Sequence, residues 1–215
     1  MSDIDVTVVS VPPAAEISGR GLLLRPWRAD SRADAETWMR GHQDPDFQRW
    51  NTPLRAIRTV DDARASLRSR VRDVLRGAAV AFCVSDGATG TALGHIGLNN
   101  IDPVVRSARV GYWVLPEARG GGVARRALAL LSDWSFTDVG LFRVELGHAL
   151  GHDASCRIAE RCGYALEGTL RGAMFETGRR DAFRDCHLHA RIATDPAPEP
   201  PTGGEFGGAA GSRGR

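Results

Sequence analysis

The sequence predicts an α/β protein: a mixed, mostly antiparallel sheet of about seven strands, with helices on its flanks. Three observations lead there. Seven short runs rich in β-branched and apolar residues are bounded by turn residues, and four segments repeat apolar residues at helical spacing. One of those helices separates two strands lying too far apart for a hairpin, so it makes a parallel crossover.

Taken in order, residues 21–27 (GLLLRPW) read as a first strand, closed by a turn in which Asp30 or Ser31 caps a helix running to about residue 43. Residues 60–76 form a basic helix. Asp61 and Asp62 sit in its first turn, where the helix dipole favours anions, while Leu67, Val71, Val74 and Leu75 line one side. Strands at 79–85, 92–100 and 108–115 follow, joined by DGATG and DPVVRS turns that suit a meander. Residues 122–139 place Val123, Ala127, Leu130, Leu131 and Trp134 at helical spacing, and 144–150 is again a strand. A short helix over 153–162 ends at Gly163, in capping position, before strands at 165–174 and 182–192. Residues 1–16 and the Pro/Gly-rich 195–215 read as flexible tails around a single domain at 17–194.

Composition narrows the function. With 42% apolar and 25% charged residues in 215, a disordered or collagen-like chain is excluded. Twenty-eight basic against 26 acidic groups leave a charge of +2, too balanced for a nucleic-acid or membrane binder. The acidic start lacks the basic flank of a signal peptide and no apolar run is long enough to span a bilayer, which predicts a cytoplasmic protein. Cys83, Cys156, Cys162 and Cys186 form no CxxC and read as buried thiols in a reducing compartment.

The informative stretch is 111–124, GYWVLPEARGGGVA, a strand that stops at Pro116 and enters a helix through three glycines. Amides at a helix start lack intrahelical partners, and Gly120, Gly121 and Gly122 let an anion approach them closely. Arg119 adds a cation, so a pyrophosphate is the natural guest. A dinucleotide fold needs GxGxxG with an acidic residue some twenty positions on, and a Walker loop needs a lysine that this chain, whose bases are all arginine, does not contain.

At these residues the chain resembles the GNAT acyltransferase superfamily. Arg119, Gly122 and Ala124 match its acyl-CoA pyrophosphate loop, Arg/Gln-x-x-Gly-x-Gly/Ala. Together with HDASCRIAERCGYALEGTLR at 152–171, the stretch is similar to the ribosomal-protein N-terminal acetyltransferase (RimJ/RimL-like) branch. The resemblance implies the GNAT fold, in which the strand ending at Val114 and Leu115 splays from its parallel neighbour at 144–150 and the pantetheine arm enters the gap. It implies acetyl-CoA, or another acyl-CoA, as cosubstrate, bound by Val114, Leu115, Arg119, Gly120, Gly121, Gly122, Val123, Ala124, His152 and Ser155. Pro116 agrees, since a strand ladder must break where no N–H exists. An amide near Leu115 is then placed to polarise the thioester carbonyl.

The implied chemistry is direct attack of a neutral amine on the thioester in a ternary complex. Three positions depart from the superfamily pattern: His152 stands for an Asn, Ala159 for the Tyr that often protonates the thiolate, and Arg109 for a Glu. Ser155 becomes the candidate for thiolate stabilisation, and Glu167, through a water, or His95 becomes the base.

Arg64, Arg68, Arg72 and Arg76 make a four-residue stripe, either a solvated face or a dock for an acidic acceptor. Trp27, Trp38, Trp50 and Phe47 belong either to the core or to the acceptor cleft wall. No metal is expected. Cys186, His187 and His189 lie on a strand where only the two histidines share a face, and Glu145 and His148 fall on opposite faces. The sequence therefore points to an acyl-CoA-dependent N-acyltransferase acting on a protein N-terminus or a small amine, as monomer or homodimer. The alternatives are a catalytically weak acyl-CoA binding or sensing module and a transferase for a larger donor such as succinyl-CoA.

Overall fold

The computed structural model describes residue 9 and residues 16–198. The elements are β1 (Ile17–Gly19), β2 (Leu22–Pro26), α1 (Arg32–Gln43), α2 (Pro45–Trp50), α3 (Val60–Leu75), β3 (Val80–Asp86), β4 (Ala92–Asp102) and β5 (Ser107–Val114). A 3-10 turn (Pro116–Ala118) leads to α4 (Val123–Thr137), β6 (Arg143–Ala149), α5 (Asp153–Arg161), β7 (Ala165–Phe175) and β8 (Phe183–Ile192). The strands form one sheet in the order β1-β2-β3-β4-β5-β6-β8-β7. Every pairing is antiparallel except β5 with β6, which α4 joins as the predicted crossover.

Two short elements were not legible in advance. The expected first strand is a hairpin in which Arg20 and Gly21, both with positive φ (55° and 72°), turn β1 onto β2, making eight strands. Asp44 ends α1, its N–H donating to Arg40 O, and then caps α2 by accepting from the Phe47 N–H (3.1 Å), with Pro45 in the first helical turn. The tails expected at 1–16 and 195–215 fall largely outside the described residues. Within the first, Val9 packs on the core and donates its N–H to Pro103 O.

The sheet is covered on both faces, and strand alternation sorts the cover. On β3, Val80, Phe82 and Val84 face α4, meeting Leu128, Leu131 and Trp134, while Ala81 and Cys83 face α1 and α3, meeting Trp38 and Leu67. On β5, Ala108 and Val110 belong to the α4 face and Trp113 to the α1 face, which Leu115 just beyond the strand shares. Leu128 and Leu67 are fully buried, and each such side chain stabilises the fold by about 1.5–3 kcal/mol. Trp27 and Trp38 sit in the core of the second face, with ring centroids 5.1 Å apart.

Gly41 on α1 is where that face is tightest. A Cβ there would lie 2.4 Å from the Trp113 ring, which Trp27 and Trp38 hold in place. Gly41→Ala is therefore expected to destabilise the protein by about 1–3 kcal/mol in denaturant unfolding, despite alanine's better helix propensity. An unchanged or higher midpoint would mean that Trp113 has room to move.

Candidate active site

The site begins where the one parallel pair ends. β5 and β6 are paired from Ser107↔Arg143 to Val110↔Leu146 and no further. Beyond that point β5 stays with β4, while β6 continues with β8 through Gly147, His148 and Ala149. The Leu115 N–H donates to Leu93 O (2.9 Å), so by antiparallel alternation the odd-numbered residues of β5 bond to β4. The backbone of Tyr112 and Val114 thus faces the side from which β6 has parted.

At the mouth of this opening α4 starts without a side-chain cap and without an acidic residue in its first turn. Gly122, the N-cap, has φ 69°, and Gly120 has φ 81°, values that side chains adopt at a cost. A Cβ built on Gly120, Gly121 or Gly122 would meet nothing within 4 Å. The backbone therefore fronts open space, and its N–H groups and dipole favour an anion.

A cavity of about 390 Å³ joins the opening to this helix start. Of the residues expected to bind a cofactor, Val114, Arg119, Gly120, Gly122, Val123, Ala124, His152 and Ser155 line it. Two do not: Leu115 is buried in the second core face with its amide already engaged, and Gly121 points outward. The amide facing the gap is that of Val114.

The cavity's charges differ from expectation. Arg119 is not a lone cation, for its guanidinium pairs with Asp44 and Asp46 (3.5 Å) and its Nε donates to Val114 O (3.2 Å). Arg125 from α4 and Arg157 and Arg161 from α5 line the cavity as well. Arg157 and Arg161 are four residues apart, so one helix face presents both.

Tyr112 and Ser155 meet in the cavity, the phenol donating to the serine hydroxyl (3.3 Å). Ser155 is buried inside the first turn of α5, and His152 holds the N-cap position. Burial pushes the Tyr112 pKa up to about 12, with the Ser155 hydrogen bond opposing the shift, so the phenol is protonated at neutral pH. His152 stacks face to face on Trp50 (4.5 Å between centroids, 5° between planes). Burial first, then His148 nearby, push its pKa down to about 4. Trp50 and Phe47 line the cavity, so the four aromatic candidates divide between cleft and core.

The two expected bases lie elsewhere. Glu167, on β7, is clasped by Arg143 through two hydrogen bonds (2.8 and 2.5 Å), which lower its pKa, and it does not line the cavity. His95 lies in the core among Trp27, Trp38 and Trp113, its Nδ1 beside Trp27 Nε1 and Phe82 O (both 3.1 Å). Arg109 pairs with Glu145 (3.1 Å), and Ala159 is fully buried. The arginine stripe of α3 remains outside the cavity, with Arg64 paired to Asp61 and Arg68 to Asp30.

Sequence reasoning missed Tyr112, Arg125, Arg157, Arg161 and the Asp44–Asp46 pair. Tyr112 belongs to the GYW run, yet only the fold shows that an even position on β5 faces α5.

The family model described as acetyltransferase (GNAT) domain matches residues 21–165, and the chain belongs to this family. It is similar to YdaF of Bacillus subtilis (strain 168), which carries the name of a ribosomal N-acetyltransferase, with 35% identity over 89 residues. That match covers 41% of this chain and about half, 49%, of YdaF. The ribosomal-protein-serine acetyltransferase of Escherichia coli (strain K12) is 29% identical over 136 residues, covering 63% of this chain and 73% of the relative. The solved structure of Mycobacterium smegmatis RimJ in complex with CoA-disulfide aligns with a TM-score of 0.71 and 26% identity, covering 87% of each chain. Among the described residues, no helix is long and apolar enough to cross a membrane.

Burial of His95 makes a prediction. Desolvation, the largest cause, lowers its pKa from 6.5 to about 3, so between those values the unfolded chain binds a proton that the native chain refuses. Stability should rise with pH across this window and be lost as pH falls through it, by up to about 1.4 kcal/mol per pH unit from this group. His95→Gln should flatten that part of the stability profile. An unchanged slope would assign the acid sensitivity to other groups.

Proposed function

We propose that the chain is an acetyl-CoA-dependent N-acyltransferase that moves an acetyl group onto a primary amine, a protein α-amino group foremost, in the cytoplasm. The observation that carries this reading is the bare, uncapped start of α4 opening into the same cavity as the gap between β5 and β6. A diphosphate and a narrow arm need those two surfaces side by side. The four free cysteines fit a reducing compartment.

In this reading the first-turn amides of α4, at Val123 and Ala124, hold the diphosphate, and Arg125, Arg157 and Arg161 supply positive charge. The open edge at Val114 pairs with the pantetheine arm, and the Val114 N–H stabilises negative charge developing on the thioester oxygen. Ser155 donates to the departing thiolate sulfur, with Tyr112 supplying the serine oxygen with a proton in turn. His152, neutral at physiological pH, accepts the proton shed by the attacking nitrogen once the new C–N bond has made it acidic.

Acid–base arithmetic favours an α-amine. Asp46 is the one carboxylate lining the cavity among the described residues, and it is shared with Arg119. The acceptor must then arrive largely neutral by its own pKa. With an ordinary pKa near 7.8, about one α-amino group in seven is neutral at pH 7, against fewer than about one in a thousand side-chain amines of pKa near 10.4. Loss of the family's residues at 152, 159 and 109 keeps a weakly catalytic acyl-CoA binder as the second reading.

Release of free CoA, measured with peptides bearing a free α-amine, a lysine side chain only, or a polyamine, separates these readings. The expected outcome is turnover strongest on the α-amine, with kcat/KM rising towards pH 8 and no inflection near 6.5. Ser155→Ala should lower kcat by on the order of 10²-fold, and Gly122→Val should weaken CoA binding about tenfold, the effect of ~1.4 kcal/mol. CoA binding without turnover on any amine leaves the binder. Faster turnover with succinyl-CoA transfers the assignment to that donor, and absence of CoA affinity overturns the reading altogether.

A further inference from the structure

Four of the chain's six histidines lie within a few residues of the site, and three of them converge with a cysteine just behind it. β6 and β8 are antiparallel with His148 opposite His187 and Leu146 opposite His189, so the three imidazoles project from one face of the sheet. α5 crosses that face and brings Cys156. Its Sγ lies 3.4 Å from His187 Nδ1 and 3.4 Å from His189 Nε2, and the donor atoms of all four residues fall within 4.8 Å of one another. None of the four lines the cavity.

We propose that His148, Cys156, His187 and His189 form a four-coordinate site for a divalent transition ion of the zinc type. The tautomers support it. His148 Nδ1 faces Ala149 O (3.0 Å) and His189 Nδ1 faces Tyr164 O (3.4 Å), which assigns the proton of each ring to Nδ1 and turns the Nε2 lone pair towards the cluster. His148 Nε2 is buried and meets no partner, an arrangement that costs free energy unless something fills the centre.

Distances agree with this assignment. Zinc bonds of about 2.3 Å to sulfur and about 2.05 Å to nitrogen, at tetrahedral angles, put the two ligand atoms about 3.5 Å apart. Both sulfur contacts already have this separation. The widest pair, at up to 4.8 Å, must close by about 1.3–1.5 Å on binding. One thiolate with three imidazoles contains no oxygen donor, so it discriminates against magnesium and calcium. Binding breaks the Cys156 S–H bond and releases that proton to solvent as the thiolate coordinates.

Four protein ligands leave no open position, which makes the ion a structural tie between β6, α5 and β8. Those elements carry the far wall of the opening, including His152, whose ring lies 6.0 Å from that of His148. The expectation of no metal rested on β8 offering only two histidines on one face. The missing donors come from β6 and α5.

Full-length protein, free of any affinity tag and stripped with a chelator, should be titrated with Co²⁺. The proposal expects visible d–d bands and a near-ultraviolet thiolate-to-cobalt band saturating at one ion per chain, both bleached by Zn²⁺. Cys156→Ser should remove the thiolate band, and His148→Ala should weaken binding at least tenfold. Cys186→Ser should change neither, since that thiol points to the opposite face. Zinc should raise the Tm of the parent protein but not of Cys156→Ser. No saturable band, or a thiolate band that survives Cys156→Ser, overturns the proposal and leaves the cluster as a thiol hydrogen-bonded among histidines. These readouts need neither CoA nor turnover, so they stand or fall apart from the proposed activity.

Discussion

Everything at the site follows from one interruption in the sheet: the parallel ladder between β5 and β6 stops at Val110↔Leu146. Each strand remains tied to its outer neighbour, so parting costs only the bonds between these two. Of the backbone left there, Val114 O accepts from Arg119 Nε, and the N–H groups of Tyr112 and Val114 must find water or a ligand, because buried amides without partners are expensive. Pro116, which has no N–H, ends the strand close beyond, and the chain turns into α4 through glycines that carry no Cβ into the mouth of the gap.

Electrostatics sharpen the picture. The helix start offers partial positive charge, while Arg119, the residue a motif search notices first, is largely compensated by Asp44 and Asp46. Further arginines line the cavity from α4 and α5. In a concave site, with less water to screen them, such charges act over the whole cleft. Tyr112 and His152 owe their shifted proton affinities chiefly to the same withdrawal from water.

Much of this was legible in the sequence where local signals are strong. The strand runs, the crossover helix and the glycine entry are encoded by residues adjacent in the chain, and they lie where the structure has them. Elements governed by a single atom were not: the short helix α2 depends on Asp44 serving as the end of one helix and the cap of the next. The two expected bases lie outside the cavity for a different reason. Glu167 and His95 are the right residue types, but a carboxylate on an outer strand found Arg143, and a histidine on a central strand faced tryptophans. Neither fact is visible without the register. Register likewise brings together Tyr112 and Ser155, 43 positions apart in the chain.

Asp44 has one more consequence. It closes α1 through its amide, opens α2 through its carboxylate and touches the guanidinium of the glycine loop, while α2 itself contributes no buried side chain. The wall bearing Phe47 and Trp50 is therefore held at this polar joint and by partly buried rings, Phe47 against His42 and the core and Trp50 on His152. One carboxylate thus sets where two helices meet, so the outline of the cavity on this side depends on a single polar side chain and not on core packing alone.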